Sequence, residues 1–198
     1  MLFKFVRFTS KMIFKFFFGL RILGMENIPA RGGFILASNH VSFLDPVVCG
    51  AACPREINFM ARHDLFKNRF FGWFIRKLHA FPVKRQTGDI YAIKESLRRL
   101  QQNQGLLVFP EGSRQEAGLS ETAQSGIGFL ASKSQVPIIP AYIHGTAQAL
   151  PKGAKFFHQS RISIMFGKQI PIERRLSYHD IAQRALDGIR QLSCSISS

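Results

Sequence analysis

Acidic residues are scarce: 12 Asp plus Glu stand against 27 Lys plus Arg among 198 residues, a formal net charge of +15. That imbalance calls for an acidic partner. Nucleic acid, an anionic membrane surface, and an acidic small molecule or carrier protein are the candidates, with solubility alone as the plainer alternative. Cysteine is scarce too. Cys49, Cys53 and Cys194 are odd in number and no secretory leader precedes them, which suits a reducing compartment. Cys49 and Cys53 have no second pair of ligands at metal-like spacing, which argues against zinc; on a helix they share one face and pack. Pro and Gly total 25 without a period, so collagen and low-complexity classes fall away. The chain has no RNP-like aromatic motif, no Cys/His finger spacing and no GxxG loop among basic residues, which argues against a nucleic-acid partner. It also lacks the G-x-S-x-G elbow of serine lipases and esterases.

What is present is apolar. Hydrophobic residues make up 46% and charged ones 20%, which excludes a disordered chain, and the length fits one domain with a real core. Phe numbers 20, against four Tyr plus Trp. The Phe density peaks in residues 1–24, MLFKFVRFTSKMIFKFFFGLRILG. Lys4, Arg7, Lys11 and Lys15 fall on one narrow stripe of a helix, and nearly everything else is apolar. A membrane-spanning helix needs roughly 20 apolar residues in a row, and Lys15 interrupts the most apolar part. A cleaved leader would keep its apolar region free of charge. Two readings stand: a helix lying in a membrane interface, or a helix packed on the protein's own core with its stripe in water. On the first, residues 1–24 form an interfacial segment and 25–198 the remaining domain.

No linker or repeat divides the rest. Strands are expected at 34–37, 57–60, 80–83, 106–109, 136–143 and 161–166. Helices are expected at 65–78, 89–102, 125–134 and 177–192. Strands alternating with helices predict a single α/β domain with a mixed, largely parallel sheet flanked by helices. In such sheets ligands sit beyond the carboxyl ends of the strands, where the polar motifs fall.

The first motif is SNHVSFLDP, residues 38–46. His40 and Asp45 do not share a helix face, so a loop must curl to bring the carboxylate to the imidazole. If it does, Asp45 accepts the Nδ1 proton and leaves Nε2 to take a proton from a hydroxyl. The alternative for Asp45 is an N-cap followed by Pro46 at the first helical position; both roles can coexist. The second motif is VFPEGSR, residues 108–114. Pro110 and Gly112 shape a turn, Glu111 can accept from hydroxyls, and Arg114 can grip a phosphate; the alternative is a solvated turn with an internal Glu–Arg pair. The third is AFPVKR, residues 80–85, whose Lys84 and Arg85 either face one anion or form an ordinary surface pair.

In order, NHVSFLD, FPVKR, FPEGSR and VPIIPAYI resemble the four-block pattern of the PlsC-type lysophospholipid acyltransferases, whose best-known members are 1-acylglycerol-3-phosphate acyltransferases. The resemblance runs from about Gly24 to about Ile172; the first and third blocks are distinctive, the second and fourth loose. It implies an acyltransferase with His40 as general base and Asp45 as its orienting partner. It further implies that Arg85 binds the acceptor's phosphate and that Glu111, Gly112, Ser113 and Arg114 position the glycerol-phosphate portion. The implied donor is an acyl thioester on coenzyme A or acyl carrier protein, with no metal and no other cofactor. The implied partners are a lysophospholipid and an anionic membrane surface, at the cytoplasmic face of the cell membrane. One departure is visible. Many members carry a lysine in an FKxG-like stretch after the third block; here it reads AQSGIG, with Gln124 and Ser125 and no lysine. Another lysolipid acceptor, or a non-catalytic lipid-binding protein of the same fold, are the alternatives this leaves open.

Overall fold

The computed structural model describes residues 1–84, 89–112, 124–151, 153–154, 156–173 and 175–196. Strand β2 (Phe34–Ser38) is buried at every position. A continuous apolar run of that length belongs in the middle of a sheet covered on both faces. It lies between β6 (Ile138–His144) and β5 (Gly105–Val108), both parallel to it. With β1 (Arg21–Leu23), β3 (Ile57–Arg62), β4 (Ala80–Val83) and β7 (Ser163–Phe166), the described residues form one sheet in the order β1-β7-β6-β2-β5-β3-β4. The β6–β7 pair is antiparallel, so the sheet is mixed and mostly parallel, as expected.

Pro140 sits inside β6, where a missing N–H would ordinarily break a ladder. It falls where the β6–β7 ladder is already interrupted: pairing starts at Ala141, and Pro140 uses only its carbonyl, which accepts from Gly167 N–H. β1 was not expected. Three residues pair with β7 at the sheet edge, so residues just after the N-terminal helix join the main sheet.

The chain steps from β2 to β3 through α2 (Asp45–Ala52), and from β3 to β4 through a 3-10 turn (His63–Phe66) and α3 (Arg69–Lys77). Both steps run the same way across the sheet, and right-handed crossovers place both connections on one face. The return through α4 (Ile90–Gln101) and α5 (Gly126–Ser134) covers the other face, where α7 (Tyr178–Ile196) joins them. Two apolar clusters result. One gathers Phe34, Leu36, Val48, Ile57 and Ile139 under the α2 side. The other gathers Ile35, Leu106, Ile127, Ile138 and Ile189 under α5 and α7. Cys49 and Cys53 pack in the first, as their spacing suggested.

Helix α1 (Leu2–Phe18) lies on the α2 side and buries only Phe3, Phe14 and Phe18. Phe5, Phe8, Met12, Ile13, Phe16 and Phe17 are exposed. The half-buried Arg7 donates to the Pro54 carbonyl at 3.1 Å, so the cationic stripe borders the protein body. The plain core-packing alternative put the apolar face inward and the stripe in water; here most of that face points outward. Among the described residues, no helix is long and apolar enough to cross a membrane.

Candidate active site

β2 ends at Ser38, and the next two residues carry the first motif away from the carboxyl edge of the sheet. Asn39 is buried and locks onto β6: its Nδ2 donates to the Ile143 carbonyl at 2.9 Å, and Ile143 N–H donates back to Oδ1 at 2.8 Å. A side chain that replaces a backbone rung in this way holds the start of the loop rigidly. The loop then curls as the five-residue spacing required. His40 Nδ1 lies 3.0 Å from Asp45 Oδ2. Val41 and Ser42 N–H groups donate to the same oxygen, each at 2.7 Å.

Asp45 is fully buried. Its other oxygen, Oδ1, accepts from the Thr146 hydroxyl at 2.6 Å. A carboxylate surrounded by donors makes Nδ1 of His40 the protonated nitrogen. Nε2 then carries the lone pair, and it has no partner among the described residues. Asp45 opens α2 as its first residue but does not cap it: Leu44 holds the cap position and no side-chain cap bond forms. The carboxylate serves the loop instead.

The second motif closes on the first from β5. The Phe109 ring stacks on the His40 imidazole, centroids 3.9 Å apart and planes 13° apart. Glu111, 5% exposed, accepts from the His40 backbone N–H through Oε2 at 3.3 Å. Gly112 donates its N–H to the Phe109 carbonyl with φ at +69°, a conformation that side-chain-bearing residues rarely adopt. A Cβ there would also strike the Gln124 side chain. Gln124, at the place of the expected lysine, thus packs against the turn, and its N–H donates to the Pro110 carbonyl at 2.9 Å.

His40, Asp45, Glu111 and Gly112 therefore come together. Arg85, Ser113 and Arg114 lie outside the described residues. Thr146, Asn39 and Phe109 were not anticipated. Thr146 opens the short helix α6 (Thr146–Ala149) after Gly145, whose φ is +89° and whose hydrogen faces the Arg161 carbonyl. A GT pair after a strand is the one local hint, and it is weak. Among the described residues, no three His, Cys, Asp or Glu side chains gather as a metal-ligand set.

An imidazole with a fixed tautomer, oriented by a buried carboxylate, suits proton transfer from a hydroxyl. Residues 19–144 match the family described as Acyltransferase, well over half the chain. The chain belongs to that family. This acyltransferase is 28% identical over 170 residues to the 1-acyl-sn-glycerol-3-phosphate acyltransferase of Bacillus subtilis, an overlap of 85% of this chain and 82% of the relative. It is 34% identical over 150 residues to the enzyme of the same name from Streptococcus pneumoniae, covering 74% of this chain but 54% of that one. Its fold is similar to that of PlsC from Thermotoga maritima, with a TM-score of 0.81 at 24% identity, over 96% of this chain and 77% of that one.

Proposed function

We propose that this acyltransferase moves a fatty acyl chain from a thioester, acyl-CoA or acyl carrier protein, to the free hydroxyl of 1-acylglycerol-3-phosphate, giving phosphatidic acid. The observation that carries the proposal is the 3.0 Å contact between His40 Nδ1 and Asp45 Oδ2, which leaves Nε2 as the basic nitrogen. Nε2 takes the proton of the acceptor hydroxyl as its oxygen attacks the thioester carbonyl. The tetrahedral oxyanion then collapses, the C–S bond breaks, and the thiolate leaves with the carrier. No protein nucleophile is needed. Family membership and the names of the relatives from two bacteria support the acceptor. The resemblance of the second and third blocks supports Arg85 and Arg114 as the groups that bind its phosphate. Glu111 and Gly112 form the turn after β5, and Glu111 also braces the backbone of His40.

Acceptor and product are amphiphiles that reside in a bilayer. The outward apolar face of α1, edged by Lys4, Arg7, Lys11 and Lys15, supports peripheral docking on an anionic leaflet, on our reading the cytoplasmic one. The deciding measurement is thiol release from acyl-CoA and acyl carrier protein with a panel of lysolipids. Lysophosphatidic acid is expected to be the best acceptor. His40→Ala is expected to lower kcat by about 10²–10⁴ while leaving the fold intact; near-normal turnover would refute the base. Arg114→Ala is expected to raise KM for lysophosphatidic acid, and an unchanged KM would remove that residue from the phosphate site.

A further inference from the structure

Helix α3 is nine residues long and carries Phe70, Phe71, Trp73, Phe74 and Ile75. None of these belongs to either core cluster. The sole buried residue of the helix is Gly72, which rests on the Phe66 backbone of the preceding turn. Phe70 is 88% exposed, Trp73 57% and Phe71 46%. A helix this short is marginal in water by itself, and three large rings held in solvent call for something that covers them.

The surroundings say what covers them. From Leu65 to Leu78 the chain has four cations, Lys67, Arg69, Arg76 and Lys77, and no acid. All four are exposed. Apolar rings flanked by cations match an anionic, apolar-cored partner, which is a lipid leaflet rather than an acidic protein surface. The position agrees. α3 lies in the same layer as α1, and the two are joined: Phe3 of α1 stacks on His79, two residues beyond α3, with centroids 4.7 Å apart. The exposed rings of α3 therefore neighbour the N-terminal end of α1. The turn leading into α3 leaves β3 at the carboxyl edge of the sheet, where His40 stands.

We propose that α3 is a second membrane-docking element, placing Phe70, Phe71 and Trp73 in the same anionic leaflet as α1. The inference rests on the membrane reading given above and extends it. Two adjacent contacts would fix the tilt of the molecule, which one helix lying in an interface leaves free to roll.

Trp73 is the only tryptophan in the chain, so its fluorescence reports α3 alone. The full chain is mixed with phosphatidylcholine–phosphatidylglycerol vesicles, with and without brominated acyl chains. The expected result is a blue shift of Trp73 emission, quenching by the bromines, and a drop of about tenfold or more in vesicle partition for Phe70→Ser. Thermal denaturation of Phe70→Ser should match the parent, since that ring packs on no core. If the protein floats with vesicles while Trp73 emission and quenching stay unchanged, α3 remains in water: this inference falls and docking by α1 survives. If the protein does not float at all, both fall. If light scattering finds a dimer that Phe70→Ser dissolves, and lipid leaves Trp73 unmoved, the face binds a second copy and the inference is overturned.

Discussion

At the scale of single residues, the orientation of Asp45 is the point on which the site turns. Its carboxylate takes three N–H donors on one oxygen and the Thr146 hydroxyl on the other. Thr146 hydrogen-bonds the carboxylate of Asp45, which in turn holds His40, so it acts by positioning. Thr146→Val removes the donor and keeps the shape, leaving a buried oxygen without its partner. A loss of about 1.5–3 kcal/mol in a charge-assisted hydrogen bond corresponds to a fall in kcat of roughly tenfold or more. KM for the lysolipid should stay as it was, and Thr146→Ser should restore turnover. A purely structural role would shift the denaturation midpoint and leave the kcat-to-KM split unmoved. The site was legible in the chain where its parts are neighbours. His40 and Asp45 are five residues apart, and a loop returning on itself is the geometry that unites them. Thr146 lies 101 residues from Asp45 and Asn39 104 from Ile143. Only the sheet, by setting β2 beside β6, makes those pairs, and no local pattern announces them.

At the scale of elements, α1 divides into two faces that make opposite predictions. Phe14 is 5% exposed and packs in the main core, whereas Phe16, two residues on, is 89% exposed. Phe14→Ala is expected to cost about 3–5 kcal/mol in urea denaturation, the range for a buried ring replaced by a cavity. Phe16→Ala should leave stability within about 0.5 kcal/mol and weaken vesicle binding instead. Helical periodicity exposes the stripe but not which side of it faces inward, because an apolar face suits a core and a bilayer equally. The three-residue strand β1 was invisible for another reason: RIL is too short to show a period, and its pairing with β7 is decided 142 residues away.

Helix α4 supplies the pH dependence. Arg98 and Arg99 both donate to Glu95 at 2.7 Å. The Arg98 hydrogen bond, seconded by Arg99, draws the Glu95 carboxyl down from 4.5 to about 2. A carboxyl whose folded value lies below its unfolded one stabilises the fold fully above the unfolded value and loses that contribution as pH falls toward the folded one. The window here runs from about 4.5 down to about 2. Glu95→Gln should therefore destabilise by about 1–2 kcal/mol at neutral pH, between exposed and buried ion pairs. The gap to the parent should narrow between pH 4 and 2, as seen in urea midpoints across that range. A constant gap would place the stabilisation elsewhere than in the charge.

At the scale of the whole molecule, charge and apolar exposure coincide. Residues 1–25 carry five cations and no acid, and residues 65–77 carry four cations and no acid. Together they hold nine of the fifteen net charges. Those same segments present Phe5, Phe8, Phe16, Phe17, Phe70 and Trp73 to the outside. The far side of the sheet buries most of its apolar residues under α4, α5 and α7, leaving Ile90, Tyr91 and Tyr178 exposed at the ends of α4 and α7. A net charge spread for solubility has no reason to gather around exposed rings. Binding to a leaflet would then have two parts with different responses to salt. The electrostatic part is worth about 1 kcal/mol per cation near the surface and is screened as the Debye length contracts from about 10 Å at 0.1 M to about 3 Å at 1 M. The apolar part is strengthened or left alone by salt. Partition onto phosphatidylglycerol-containing vesicles should thus fall steeply as sodium chloride rises, then level off at the value measured on phosphatidylcholine alone. Loss of all binding in high salt would mean the rings stay in water and only the cations touch lipid. Binding indifferent to salt would mean the clustered charge serves another partner, such as the phosphates of the acyl carrier. A fall to a plateau is the one outcome that needs both the cations and the rings at the same surface.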